Sequence, residues 1–398
     1  MNYLKQNLFV SFLLVLLSGC SLTWTEAIQR GEISNVSFSD NLTVDIAHDL
    51  VIIPVSLNGH IYSFLFDTGA PLSISEKLQN EMGYNIISKG HIVDSGKNRK
   101  KVKWAKVDTL LIGNTQFTNQ TAFVVDFDAN PILKCLDIDG IVGSNLIRFC
   151  NWKINFEKEE ITLSDQPVSS SDNTLAVVSY STDDQFDILL DMQFGGAEVD
   201  HLKVDFGSNG SISLPTIAFE ALKQDNIIEK TFMEKGVSQS GITGKVNEIN
   251  REIAFFDSIK SGDLILDSVY VRSGKSGLIG TKIFSRYIVS IDSKQQKLYF
   301  NENKSPDKNL DTFGFRIGIS TDGLLYIQSV IEGSSAAESS VLPNMRVLEI
   351  DSIDFSENPD FCMYMDLIEN TPDTLQLVLK DKAGGIINFG LVKEKLIK

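Results

Sequence analysis

Phe64-Leu65-Phe66-Asp67-Thr68-Gly69-Ala70 and Leu202-Lys203-Val204-Asp205-Phe206-Gly207-Ser208 are two versions of one phrase, a short run that stops at an aspartate and turns through a glycine. A second phrase follows each: Gly140-Ile141-Val142-Gly143-Ser144-Asn145-Leu146 after the first, and Gly277-Leu278-Ile279-Gly280-Thr281-Lys282-Ile283 after the second. Gly140 lies 73 residues beyond Asp67, and Gly277 lies 72 beyond Asp205. Two motifs held in step over that distance mark an internal duplication.

The duplication extends downstream. Trp152-Lys153-Ile154-Asn155-Phe156, a Lys/Glu turn and Ile161-Thr162-Leu163 form one predicted hairpin. Ile288-Val289-Ser290-Ile291-Asp292, a Lys/Gln turn and Lys297-Leu298-Tyr299-Phe300 form its counterpart. Apolar alternation around polar turns is the strand signature, and it recurs at residues 51–57 and 188–194, so each copy is predicted mostly β. Short helices are expected at 76–82 and 217–224, capped by Ser75 and Thr216, and again after each Gly-apolar-apolar-Gly phrase.

An aspartate that closes a strand and enters a glycine turn projects its carboxylate from a sharp corner, where backbone amides can approach without a Cβ in the way. If a pseudo-twofold axis relates the copies, Asp67 and Asp205 meet across it. Two carboxylates at that separation cannot both ionise easily, so the pair shares a proton and titrates as a unit. One member then serves as base to a water while the other donates to a carbonyl oxygen, which is the chemistry of peptide hydrolysis without a covalent intermediate.

On these residues the chain resembles the bacterial aspartyl proteases of the retropepsin/pepsin type, over residues 45 to 303. The resemblance implies two tandem β-barrel lobes with the aspartic protease fold, with Asp67 and Asp205 as the catalytic pair. It also implies that Thr68, Gly69, Phe206, Gly207 and Ser208 support the site, and that the segments ending at Gly143 and Gly280 pack beneath the two turns. Asp94-Ser95-Gly96 resembles the tip of the flap hairpin that closes over substrate, although no tyrosine marks it, and Gly241-Ile242-Thr243-Gly244 is its counterpart in the second lobe. One departure stands out. The family places threonine after each aspartate, whose hydroxyls bond to the opposite lobe; here Thr68 is kept, but Phe206 replaces the second. Phe206 cannot supply that bond. The next position is also unequal, since Ser208 can hydrogen-bond Asp205 whereas Ala70 has nothing to offer Asp67, and Asp205 is expected to be the more readily ionised member.

Beyond a polar linker at 301–307 the pattern changes, and a further domain is expected over 305–398. Phe313-Gly314-Phe315 resembles the carboxylate-binding loop of PDZ domains. The stretches 325–331, 333–337 and 345–351 follow in the order of the strand, helix start and central strand of that α+β fold, and 357–369 would be its second helix. Asn344-Met345 stands where PDZ domains usually carry Gly-Asp. The resemblance implies capture of a peptide C-terminus; a small cap that merely stabilises the protease lobe is the other reading of this module.

At the other end, Lys5 precedes the apolar run 8–17, too short to span a bilayer comfortably and ending in Leu17-Ser18-Gly19-Cys20. This resembles a lipoprotein signal peptide with its lipobox, which implies lipidation of Cys20 and a membrane-anchored protein facing the periplasm. Residues 21–44 are expected to be a tether, 45–170 the first lobe and 171–304 the second. The formal net charge of −16 disfavours nucleic acid as a partner. The four histidines show no metal-ligand spacing, so neither a metal nor another cofactor is expected, and no G-x-S-x-G elbow supports a serine hydrolase. Cys135 and Cys150 could close a short loop and leave Cys362 over, or all three could remain free thiols. Two functions fit: an aspartic endopeptidase acting on exposed peptide segments, or a catalytically silent peptide-binding protein that kept the cleft.

Overall fold

The computed structural model describes residues 23–239, 241–303, 310–357, 359–369 and 372–396. Strands account for 51% of the chain and helices for 14%, so the protein is mostly β. The predicted signal peptide and Cys20 lie outside the described residues, as does most of the 301–307 linker. Among the described residues no helix is long and apolar enough to cross a membrane.

The duplicated phrases take the same pairings twice. Strand Gly140–Val142 runs parallel to His60–Phe66, with Val142 opposite Phe66, and antiparallel to Ser73–Ser75. Strand Leu278–Gly280 runs parallel to Ala197–Asp205, with Gly280 opposite Asp205, and antiparallel to Ile212–Pro215. In both copies the strand after the aspartate turn adds in parallel to a long neighbour, Thr115–Val125 in one and Leu264–Gly274 in the other. A four-residue helix follows each glycine phrase, Ser144–Ile147 and Thr281–Phe284.

The two predicted hairpins join the halves. Asn151–Asn155 pairs with Tyr287–Asp292, Ile154 opposite Val289, and this makes the centre of a six-stranded sheet. Its apolar face covers one core with Phe66, Trp152, Phe206, Phe284 and Phe300, all fully buried. The expected helix Glu76–Met82 forms, with the Ser75 hydroxyl accepting from the Leu78 amide and Gly83 closing it in the left-handed region at φ 65°. The second helix, Thr216–Gln224, departs from expectation. Thr216 is its first residue and not its cap, because Pro215 occupies the cap position and the Thr216 hydroxyl donates to the Gly274 carbonyl instead.

The expected tether is also structured over its described part. Trp24–Ile28 is a helix with a Thr23/Glu26 capping box, and Ala27 and Ile28 are buried. Ser39–Thr43 adds an edge strand to the six-stranded sheet beside Glu160–Ser164. The apolar residues of this segment, Trp24, Ala27, Ile28, Phe38 and Leu42, supply the burial that a solvated tether would lack.

Residues 313–391 hold their own apolar core around Leu325, Ile327, Val347, Phe355 and Leu379. The strands there are not separate from the rest: Phe232–Ser238 pairs with Leu325–Ile331, Glu234 opposite Ile331, so one sheet runs from the second copy into the C-terminal module. Glu234, 1% exposed, ties the joint by ion pairs to Arg251 and Arg316 and by a 2.7 Å bond from the Ser329 hydroxyl; these partners outweigh its burial and hold its carboxyl well below the usual range. The expected helix in 357–369 runs from Phe361 to Glu369. A disulfide joins Cys135, at the end of helix Pro131–Cys135, to Cys362 in that helix. Cys150, the partner considered from sequence proximity, is a buried free thiol of the main apolar core, pushed up in pKa by its burial.

Candidate active site

Asp67 and Asp205 leave equivalent strands and meet at the floor of a cleft of about 730 Å³. Each turn folds back on its own carboxylate: the Gly69 amide donates to Asp67 Oδ1 at 2.7 Å and the Gly207 amide to Asp205 Oδ1 at 3.0 Å. The glycines are required by the opposite chain. A Cβ on Gly69 would sit 2.8 Å from the carboxyl carbon of Asp205, and one on Gly207 would sit 2.3 Å from that of Asp67. Gly143 and Gly280 close the arrangement from below, where a Cβ would strike the backbone of Pro71 at 2.1 Å and of Gly210 at 2.3 Å. The residues after them complete the parallel: the Ser144 amide donates to Ala70 O and the Thr281 amide to Ser208 O, both at 2.8 Å.

Behind the aspartates the copies differ. The Thr68 hydroxyl donates to the Val204 carbonyl at 2.6 Å and accepts from the Phe206 amide at 3.2 Å, so one side chain bridges both strands. Phe206 replaces the reciprocal bridge with apolar contact. Its fully buried ring stacks on Phe284 at 4.8 Å and meets Phe66 edge-on at 5.6 Å, contacts worth about 0.5–1.5 kcal/mol each beyond burial.

Burial and the charge of Asp205 push Asp67 up to about 7. Burial pushes Asp205 up to about 6, opposed by the nearby Lys203 ammonium. The two carboxyls lie against each other across the facing turns and titrate as a unit. The Asp205 anion, which the sequence reading assigned to Ser208, has other neighbours here. Ser208 engages Thr281 through its carbonyl, and it is Lys203 and the Gly207 amide that favour the Asp205 anion. Lys203 and its partner Asp187 escaped the motif reading; the signal was the period of two that puts residues 203 and 205 on one face of their strand.

The hairpin of strands Ile86–Val93 and Arg99–Ile112 carries Asp94, Ser95 and Gly96 at its tip, and the tip reaches the other copy. Asp94, 9% exposed, accepts from the Thr243 hydroxyl, Ser95 O from the Ser276 hydroxyl at 3.1 Å, and Gly96 O from Lys275 at 3.0 Å. Asn130 adds a 2.8 Å bond to Gly241 O. Thus 94–96 and 241–244, paired as counterparts in sequence, touch over the cleft. Trp24 of the N-terminal helix lines the same space and packs edge-on against Trp104.

Phe313, Gly314 and Phe315 lie far along the sheet, in the C-terminal core. Gly314 needs its positive φ of 82°, and a Cβ there would meet Ser334 at 1.9 Å. Its amide donates to the Thr312 hydroxyl oxygen at 3.0 Å. The Lys393 ammonium stands 5.4 Å over the Phe313 ring.

No curated protein matches this chain. A family model described as aspartyl protease matches residues 53–146, the stretch holding Asp67-Thr68-Gly69 and Gly143, and supports an aspartyl protease.

Proposed function

We propose that this protein is an aspartic-type endopeptidase with two tandem lobes, in which Asp67 and Asp205 activate one water against a peptide carbonyl. The observation that carries this reading is the pair of carboxyls set against each other in an open cleft, each facing the glycine of the other's turn, with burial raising Asp67 to about 7 and Asp205 to about 6. Asp205 takes a proton from the water as its oxygen bonds to the carbonyl carbon, and Asp67 gives its proton to the carbonyl oxygen. Proton return to the amide nitrogen then lets the C–N bond break, so that amide and water become acid and amine. Hairpin 94–98 over the cleft would shield these steps from bulk water and hold an extended segment against the pair.

Phe206 favours a second reading, a peptide-binding protein without turnover, because the bridge it removes normally helps to hold both carboxyls in plane. Thr68 retains one full bridge, with both a donated and an accepted bond, which supports the enzyme. Cleavage of an unfolded protein by wild type and Asp67→Asn across several pH values, with and without a transition-state mimic of aspartic proteolysis, separates the two. Equal residual cleavage by both forms would leave only the binding protein.

The C-terminal module is proposed as PDZ-like, selecting or regulating substrate. At the Phe313-Gly314-Phe315 loop the Gly314 amide would have to exchange the Thr312 hydroxyl for a peptide carboxylate. Titration of the whole protein with C-terminal peptides decides between a binding module and a cap. A lipid anchor at Cys20 facing the periplasm completes the proposal, and the Cys135–Cys362 bond suits such an oxidising location. Incorporation of labelled fatty acid into wild type but not Cys20→Ala would test the anchor.

A further inference from the structure

Lys203 sits two residues before Asp205 on strand Ala197–Asp205, facing the same side. Its ammonium forms an ion pair with Asp187, whose side chain is 1% exposed, and donates to the Gly69 carbonyl at 3.2 Å. Gly69 is the residue whose amide holds Asp67. Lys203 therefore grips the turn of one aspartate while standing on the strand of the other. Asp187 is itself fixed, since its amide donates to Asp183 Oδ1 at 3.0 Å.

We propose, on the reading of the pair as an aspartic protease dyad, that Lys203 is a positioning residue that selects Asp205 as the water-activating base and Asp67 as the proton donor, and that Asp187 sets how strongly it does so. A cation behind the pair favours any state in which the pair carries charge. Lys203 stands on the strand of Asp205 and reaches the turn of Asp67; in this proposal the anion rests on Asp205 and the shared proton on Asp67. Asp187 works the other way, holding the ammonium in place while cancelling part of its charge. The electrostatics follow that pattern: burial raises both carboxyls, Lys203 lowers both, and Asp187 raises Asp205. Burial raises Asp187 to about 6 against the pull of Lys203, and Asp187 raises Lys203 against its burial.

Other titratable groups line the cleft. His201 shares the Lys203 strand, while His91, Asp94 and Lys97 come from the hairpin and Lys275 from the opposing loop. Asp94 and Lys275 are engaged across the hairpin tip. None of these bonds to the dyad in the way Lys203 bonds to its turn, so their titration would act alike on all variants of the Lys203–Asp187 pair.

The test is the pH dependence of kcat/KM for wild type, Lys203→Met, Lys203→Arg and Asp187→Asn. Removing the cation should move both limbs to higher pH by about one unit, the scale of a close opposite charge. Removing the anion should move both limbs to lower pH, and Lys203→Arg should leave them near wild type. A merely structural pair would lower activity in each variant without opposed shifts, and that result overturns the proposal. Titration of the aspartate carboxyl carbons by ¹³C NMR in the same proteins reads the shifts without turnover. If wild type fails to cleave but its carboxyls shift in opposite directions in Lys203→Met and Asp187→Asn, the endopeptidase reading fails and the electrostatic role of Lys203 stands. Unshifted carboxyls in folded variants sink that role, whatever the activity.

Discussion

Gly207 lies directly against Asp67: a Cβ built on this glycine would stand 2.3 Å from the carboxyl carbon of the aspartate on the other copy, and Gly69 faces Asp205 in the same manner at 2.8 Å. Each half of the duplication thus leaves room for the carboxylate of the other. Gly207→Ala should displace Asp67 and lower kcat about 100-fold, the scale of a misplacement of about 1 Å. Its melting temperature should fall much less than its rate. Full activity in Gly207→Ala would show that the pair tolerates displacement and does not act as a unit.

Asp67→Asn should lower turnover by about 10²–10⁴-fold, the range of a lost general acid or base, and it should also change the pH dependence of stability. The native Asp67 carboxyl, at about 7, lies above its ordinary value of 3.8. Between those values the native state binds more protons than the unfolded chain, so stability falls as pH rises through this window. An uncharged asparagine removes that slope. Thermal melts from pH 4 to 8 should therefore be flatter for Asp67→Asn than for wild type, and parallel curves would contradict the raised pKa.

Thr68→Val keeps the shape but removes both the bond donated to Val204 O and the one accepted from the Phe206 amide. Stability should drop by about 1–3 kcal/mol for each buried group left unsatisfied, read by urea denaturation. Phe206→Thr would instead leave a void beside Phe66 and Phe284. It should cost about 3 kcal/mol, as buried phenylalanine truncations do, and a restored hydroxyl alone should not raise turnover.

Loss of the Cys135–Cys362 bond should destabilise the protein by about 2–4 kcal/mol. The bond joins helix Pro131–Cys135, whose residues Ile132 and Leu133 line the cleft with the preceding Asn130, to the C-terminal helix Phe361–Glu369. Cys362→Ser should therefore lower the melting temperature, and it should raise KM more than it lowers kcat, because it frees a wall of the cleft and not the dyad. Non-reducing peptide mapping should join residues 135 and 362 and leave Cys150 unlinked.

The aspartates, the glycines beneath them, the mostly β character and the helix Glu76–Met82 with its Ser75 cap were legible in the chain because each depends on local pattern or on repetition in register. Asp94-Ser95-Gly96 was visible as a turn, but the partners that hold it, Thr243, Lys275 and Ser276, come from about 150 residues away and more. The segment read as a tether was misjudged for a similar reason, since Trp24 finds its partner in Trp104 and Ser39–Thr43 its partner in Glu160–Ser164.

By itself the sequence determined that two equivalent aspartate turns exist and that they are unequal at Thr68 and Phe206. Only the tertiary structure decided how the inequality is resolved. The ring of Phe206 fills an aromatic core instead of bridging strands, and the Lys203 ammonium reaches the turn that holds Asp67. Cys135 bonds a residue 227 positions away instead of its near neighbour Cys150. The physical reason is common to all three. Charge, packing and disulfide pairing act over a few ångströms of space, and spacing along the chain says little about which distant residues will share it.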